Sequence, residues 1–298
     1  MTDAMATTEA RNPATTQLDE LTTLEVLRVM NDEDRRVADA VAEVLPTIAA
    51  VVDAAAERIA TGGRLIYVGA GTSGRLGVLD AAECPPTFST PPGQVVGLLA
   101  GGEGAMFTAV EGAEDSVQLG ADDLAAIGVT ERDLVVGIAA SGRTPYVIGA
   151  LDHARAVGAA TVAFSCNRGA TISGHAEVAI EVDNGPEVVT GSTRLKAGTS
   201  QKMVLNMIST ATMVRLGKVY GNLMVDVSPT NEKLRDRAVR IVRSATGCDE
   251  AQARAALAEA GDHAKTAIVM ILCGVDADGA RDRLSSSHGF VRAAVGPR

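Results

Sequence analysis

The chain has 298 residues, 46% of them hydrophobic, with a mean hydropathy of +0.15, a formal net charge of −10 and a pI near 5.0. That much apolar material builds a substantial core, as one large domain or two of moderate size. Aromatics make up 2% and no basic stripe appears, which excludes a nucleic-acid partner; an acidic chain that takes an anionic substrate does so in a local pocket.

The first 19 residues are polar, rich in Ala and Thr, and aperiodic. They predict a mobile arm, although Thr8-Glu9-Ala10-Arg11-Asn12-Pro13 offers groups that can dock. The N-terminus lacks the apolar core of a signal peptide, and the longest apolar run, Ala267 to Cys273, is too short to span a bilayer. A cytoplasmic protein with no membrane partner is therefore expected. From Thr22 to about Thr61 the apolar residues, among them Leu24, Leu27, Val37, Val41, Ile48, Val52 and Ile59, recur at three- and four-residue steps. Two helices are predicted, with a break at Asn31 or Asp32.

Leu65-Ile66-Tyr67-Val68 passes at once into Gly69-Ala70-Gly71-Thr72-Ser73-Gly74, the pattern of strand, tight turn and helix. A phosphate fits such a turn. Glycines let the backbone approach an anion, the N–H groups of the next helix point at it, and Thr72 and Ser73 add hydroxyl donors. Further on, Glu83 stands just before Cys84-Pro85-Pro86, which predicts that the helix stops there and that Glu83 sits near a chain reversal. Val95 to Leu99 predicts a second strand, and a helix through Ala109, Val110 and Leu119 is expected to carry Glu111, Glu114 and Asp115 on it or beside it. A third strand, Leu134 to Ala140, runs into Ser141-Gly142-Arg143-Thr144-Pro145, a second loop with hydroxyls, a glycine and a helix-starting proline. Val147 to Val157 reads as a helix, and Thr161 to Ser165 and Val178 to Val182 as the fourth and fifth strands. Near-continuously apolar strands alternating with helices predict an α/β fold with a parallel five-stranded sheet covered on both faces.

The stretch Gly185 to Thr199 is polar and glycine-broken, with the cations Arg194 and Lys196, and is a candidate lid or substrate wall. Ser200 to Leu216 predicts a long helix whose stripe of Met203, Leu205, Met207, Ile208 and Met213 suits a core or the interface of a homodimer. After Gly221 strands vanish from the pattern. Helices are predicted over Glu232–Ala245, Glu250–Ala260 and His263–Leu272, stopped by Gly247, Gly261 and Gly274 and capped by Asp249 and Asp262, with a fourth near Asp278. The organisation expected is an N-terminal arm and helices over 1–51, the sheet domain over 52–216 and a small helical module over 217–298.

Gly69-x-Gly71-x-x-Gly74 satisfies the dinucleotide fingerprint, but the acidic residue that should end the second strand roughly 20 residues on is replaced by the region of Pro86 to Pro92. A second reading fits better. Two loops, Thr72-Ser73-Gly74 and Ser141-Gly142-Arg143-Thr144, each put hydroxyls and glycine at the carboxyl end of a parallel strand, where ligands of such sheets bind; either loop alone would pass for an ordinary turn. Cys84, Cys166, Cys248 and Cys273 show no paired spacing, and His153, His175, His263 and His288 are scattered, so reduced thiols and no metal or other cofactor are expected. Glu83 and Glu114 are the candidate acid–base pair, with Glu111 as competitor.

The strings VGAGTSGRLGVLDAAECPPTF, AVEGAED, SGRTPYV, GSTRLKAGTSQKMVLNMIST and GKVYGNLMVDVSPTNEKL, together with the TEARNP arm, resemble the N-acetylmuramic acid 6-phosphate etherases over almost the whole chain. That family belongs to the sugar isomerase (SIS) superfamily, which implies a doubly wound sheet domain over about Val52 to Leu216; a catalytically silent regulator of glucokinase that binds fructose phosphates is among its relatives. The resemblance implies a lyase that removes the D-lactyl ether of N-acetylmuramic acid 6-phosphate during cell-wall recycling. It puts the family's two catalytic glutamates on Glu83, as proton donor, and Glu114, with substrate contacts expected from Gly71, Thr72, Ser73, Ser141, Gly142, Arg143, Thr144 and Lys196. Ala139 and Ala140 depart from the richer Ser/Thr runs of other sugar isomerase domains. A non-catalytic sugar-phosphate sensor and an aldose–ketose isomerase are the alternatives on the same fold.

Overall fold

A computed structural model describes residues 6–227 and 232–296. Residues 1–5 of the arm and Ser228 to Asn231, the SPTN of the last resemblance string, lie outside the described residues. The chain divides into two compact units, Met1–Ala82 with Gly93–Ser209, and Glu83–Pro92 with Thr210–Arg298.

The first unit opens differently from expectation. Instead of a mobile arm, its described part forms three short 3-10 turns, and Thr8 and Asn12 are buried. Asn12 Nδ2 donates to Glu33 at 2.9 Å and to the Pro186 carbonyl at 3.2 Å, so tertiary hydrogen bonds hold a segment that has no apolar pattern of its own. Helix α1 (Thr23–Ala42) starts on a capping box made by Thr22 and Glu25, and α2 covers Leu45–Ala60. No break occurs at Asn31 or Asp32. Pro46, tolerated in a first helical turn but not in a helix interior, sets the boundary instead.

Five parallel strands follow: β1 (Leu65–Gly69), β2 (Val95–Leu99), β3 (Leu134–Ala139), β4 (Ala160–Ser165) and β5 (Val178–Glu181), in the order β2-β1-β3-β4-β5. β1, β3 and β4 are buried along their whole length, as apolar runs covered on both faces must be. The connecting helices are α3 (Gly71–Phe88), α4 (Val117–Ala126), α5 (Pro145–Ala156) and α6 (Lys196–Arg215). On one face Ile66, Val68 and Val135 pack with Leu124, Tyr146, Val147 and Leu151 from α4 and α5.

Two predictions in this part are corrected. α3 does not end before the prolines but runs through Pro85 and Pro86 to Phe88. The prolines fall in its last turns, where only two N–H groups are forfeited, and the Ser89 amide still bonds the Pro85 carbonyl at 2.9 Å. The helix expected through Ala109 and Val110 begins only at Val117, capped by Ser116; Glu111 lies in a turn and Glu114 in a 3-10 turn, Ala113–Asp115.

In the second unit strands do not vanish: β6 (Val219–Tyr220) and β7 (Leu223–Met224) form a small antiparallel hairpin. α7 (Glu232–Thr246), α8 (Glu250–Glu259), α9 (Ala264–Cys273), α10 (Ala277–Ser286) and α11 (Val291–Val295) surround a core that includes Val225, Val242, Leu257, Ile268 and Leu284. Asp249 caps α8 as expected. Asp262 caps nothing; it takes φ +62° and His263 occupies the cap of α9. Asp226 anchors the segment after the hairpin, within 2.8 Å of Lys265, 3.1 Å of Lys218 and 3.5 Å of His263, while its carbonyl accepts the Ser89 hydroxyl.

Candidate active site

The strand order creates a switch point. The chain crosses from β1 to β2 on one side, and β3 pairs with β1 on the other, so helices leave the carboxyl ends of neighbouring strands in opposite directions; ligands of doubly wound sheets bind in the crevice so formed. Gly69 is in register with Ile138, and therefore the turn after β1 and the loop after β3 leave the sheet side by side. These are the two stretches that the sequence marked.

After β1, Gly71 takes φ +53° and α3 starts at once. The Gly74 amide bonds the Ala70 carbonyl at 3.2 Å, and a Cβ on Gly74 would lie 2.4 Å from the Gly69 oxygen, so glycine here is what lets helix and strand end touch. The three glycines serve this tight turn, with no need of a dinucleotide. The first-turn N–H groups of Gly71, Thr72 and Ser73 have no carbonyl one helical turn behind them and suit an anion. The Ser73 side chain is buried and donates to Gln201 Oε1 at 3.1 Å, whereas Thr72 is half-buried. After β3, Gly142 takes φ +72° and bonds back to the Ala139 carbonyl at 3.0 Å. The Arg143 amide donates to Ser141 Oγ at 3.3 Å, and Thr144 leads into Pro145, the first residue of α5. Ser141 and Thr144 are half-buried and Arg143 is exposed.

Beside the β1 turn lies a cavity of about 300 Å³ whose walls include Ala70, Gly71, Arg75, Val110, Glu111 and Glu114. The structure thus brings Glu114 and its competitor Glu111 to one cavity, each with an exposed side chain. Arg75 is a residue that the sequence reading passed over. Its guanidinium donates to the Ala105 carbonyl at 2.7 and 3.0 Å and to the Met106 carbonyl at 3.1 Å, fastening the 3-10 turn Glu103–Met106 over the site while giving the wall a positive charge. The available signal was its position, a cation one turn inside the helix that follows a glycine-rich turn. Glu83 is exposed on α3 and is not among the residues lining this cavity. Among the described residues no group of three or more His, Cys, Asp or Glu is placed to hold a metal ion, and no helix is long and apolar enough to cross a membrane.

Comparison with known proteins agrees with this geometry. The family described as the glucokinase regulatory protein N-terminal SIS domain matches residues 47–155, the SIS domain 117–211, and the C-terminal lid domain of glucokinase regulatory protein 221–265. An N-acetylmuramic acid 6-phosphate etherase of Cutibacterium acnes is 64% identical over 98% of this chain and 96% of its own length. A second, from Mycolicibacterium smegmatis, is 64% identical over 97% of each. The chain belongs to the N-acetylmuramic acid 6-phosphate etherase family. Among solved structures, a phosphoheptose isomerase from Francisella tularensis superimposes with a TM-score of 0.51 at 18% identity, covering 65% of this chain and all of its own, a likeness of fold.

In this member of the etherase family, Lys196, expected as a substrate contact, lies inside the protein and already has a partner. Lys196 is 1% exposed, and its Nζ donates to Glu33 at 2.6 Å. Both oxygens of the Glu187 carboxylate accept main-chain N–H groups at 2.9 Å, from Lys196 and Ala197, so the first turn of α6 is already occupied by an internal anion. Burial pushes the Glu187 carboxyl up despite those amides; burial also opposes ionisation of Glu33, but the hydrogen bond and charge of Lys196, with Asn12 and Arg36, hold it below the usual range. Lys196 therefore staples α6 to α1. Cys166 is a buried free thiol, and burial pushes it up to about 12, which leaves it inert at neutral pH.

Proposed function

We propose that this chain cleaves the D-lactyl ether of N-acetylmuramic acid 6-phosphate, releasing N-acetylglucosamine 6-phosphate and D-lactate by elimination and water addition. The observation that carries this reading is the 64% identity to curated etherases across almost the entire chain. In the open-chain sugar the C1 aldehyde acidifies the C2 proton. Glu114 removes that proton as base, and Glu83 protonates the lactyl oxygen as the C3–O bond breaks, leaving an α,β-unsaturated aldehyde and D-lactate. Water then adds at C3 while the Glu83 carboxylate takes its proton, and Glu114 returns a proton to C2. One water is consumed, and the two carboxyl groups end as they began. The location of Glu114 with Arg75 in the walls of the cavity beside the β1 turn supports its part in this scheme.

The phosphate is assigned to the main-chain amides of Gly71, Thr72 and Ser73 and to the loop Ser141, Gly142, Arg143 and Thr144, supported by the side-by-side exit of the two loops from β1 and β3. A coupled lactate assay tests the reaction. Lactate release from the 6-phosphate, with little from unphosphorylated N-acetylmuramic acid, is the expected result; a sensor or an aldose–ketose isomerase releases none.

The working form we propose is a homodimer in the cytoplasm. Leu24 and Leu27 on α1 are 56% and 57% exposed, an apolar face suited to a second copy. A phosphorylated sugar does not cross a bilayer unaided, which ties the reaction to the compartment where the phosphate is added. Light scattering at micromolar concentration should give twice the chain mass of 30.5 kDa.

A further inference from the structure

We infer that the N-terminal arm positions the Ser141–Thr144 loop, acting through Asn167. This rests on the reading of that loop as a phosphate site. Asn167 is 5% exposed, directly after β4 and Cys166. Its Nδ2 donates to the carbonyls of Ala140 at 3.0 Å and Ser141 at 3.3 Å, the first two residues past β3. The same side chain holds the arm: Thr8 N–H donates to Asn167 Oδ1 at 3.2 Å, and Thr8 Oγ1 accepts from Asn167 Nδ2 at 3.0 Å. Because a main-chain N–H can only donate, the Thr8 contact fixes which end of the amide faces the loop.

Among the described residues, the other hydrogen bonds to the main-chain groups of residues 140–142 are main chain to main chain. Cys166 N–H donates to the Ala140 carbonyl at 3.0 Å, Ile172 N–H to the Gly142 carbonyl at 3.0 Å, and Gly142 N–H to the Ala139 carbonyl at 3.0 Å. Those bonds follow from the sheet and its turn. Asn167 is the side chain that adds an orientation, and it is oriented in turn by an arm 159 residues away in sequence. Four residues further, Asn12 is tied to Glu33 and Pro186, so the arm is fixed at two points and the Thr8 contact is not a fraying end. Thr8 and Asn167 act through the loop and not on the reacting atoms; they are positioning residues.

The test compares Thr8→Val, Thr8→Ser, Asn167→Asp and Ser141→Ala in the full-length chain. Valine keeps the shape of Thr8 and its N–H but cannot accept from Asn167, while serine keeps the hydroxyl. Aspartate keeps the acceptor for Thr8 N–H and turns an oxygen towards the two loop carbonyls. Thr8→Val should raise KM for the phosphorylated substrate about fivefold, and Asn167→Asp more than tenfold, with kcat within about twofold of wild type and Thr8→Ser close to wild type. The inhibition constant of inorganic phosphate should rise in step with KM, a readout that does not depend on turnover. If Ser141→Ala raises KM but folded Thr8→Val and Asn167→Asp leave KM and phosphate inhibition unchanged, the positioning inference is overturned while the phosphate loop stands. If Ser141→Ala and Asn167→Asp both leave phosphate inhibition unchanged, the loop reading fails and takes this inference with it. A melting-temperature loss in Thr8→Val with no change in KM also overturns it, since that is the mark of a purely structural contact.

Discussion

Ser73 donates its one hydroxyl hydrogen to Gln201 Oε1 at 3.1 Å, inside the protein and across 128 residues of sequence. A hydrogen committed there is not offered to a phosphate, so what Ser73 gives an anion is its main-chain N–H, which alanine retains. Ser73→Ala should lower the unfolding free energy by about 1 to 3 kcal/mol, because a buried oxygen loses its donor, and should move KM less than Ser141→Ala does. Urea denaturation and Michaelis curves measured side by side decide the matter; a raised KM at unchanged stability would mean that the hydroxyl faces the substrate.

The two glutamates assigned to chemistry are exposed, so their amides should fold normally. Glu83→Gln and Glu114→Gln are each expected to lower kcat by roughly 100- to 10,000-fold, the usual worth of a positioned proton transfer. Glu111→Gln serves as the control from the same cavity and should remain within a few-fold of wild type. The opposite pattern at 111 and 114 would move the base by one 3-10 turn.

Which bond breaks can be read from isotopes. Elimination and rehydration in oxygen-18 water put the label at C3 of the product sugar and none in the lactate hydroxyl, and deuterated water leaves deuterium at C2. Displacement at the lactyl carbon gives labelled lactate and an untouched C2, so one mass spectrum separates the two.

Lys196→Met should cost about 1 to 3 kcal/mol of stability, since the buried Glu33 carboxylate loses its lysine partner and keeps only Asn12 and Arg36. Adding Glu33→Gln should recover part of that loss, as expected when the damage is a buried charge short of one partner. Calorimetric melting of the single and double variants checks this; a lysine that bound substrate would instead raise KM at unchanged melting temperature.

Acid should loosen the second unit through Asp226. Burial raises this carboxyl, but His263, Lys265 and Lys218 outweigh it and hold it at about 2, below its ordinary 3.8. A depressed pKa stabilises the fold above about pH 4, and the effect fades as pH falls through about 2. The gap in unfolding free energy between wild type and Asp226→Asn should therefore narrow by about 2 kcal/mol from pH 5 to pH 2. A gap independent of pH would remove Asp226 from the acid response.

What could be read from the residues, and what could not, follows from where each interaction is recorded. β1 and β3 were legible because a strand buried on both faces is an apolar run, and the turns that follow them because glycine and hydroxyls stand at the strand ends. The end of α3 was not, because the penalty of Pro85 and Pro86 depends on their distance from the helix terminus, which local sequence does not state. Pro46 was the overlooked sign of the α1–α2 boundary; Asn31 and Asp32 are only weak helix formers, and the burial of Glu33 and Val37 carries the helix through them. Arg75 and the arm escaped because their partners are carbonyls and amides of distant segments, which leave no periodicity behind.

The tie between Thr8 and Asn167 also has a meaning in time. A ribosome adding roughly 5 to 20 residues each second needs about 8 to 30 s after Thr8 to reach its partner 159 residues on. Throughout that interval the nascent arm has neither Asn167 nor Pro186 to hold, and the β3 loop, once made, waits for the following strand. The arm is made long before its partners and is seated only after them, and a chaperone or protease meeting the growing chain would find it open until the sheet is nearly complete.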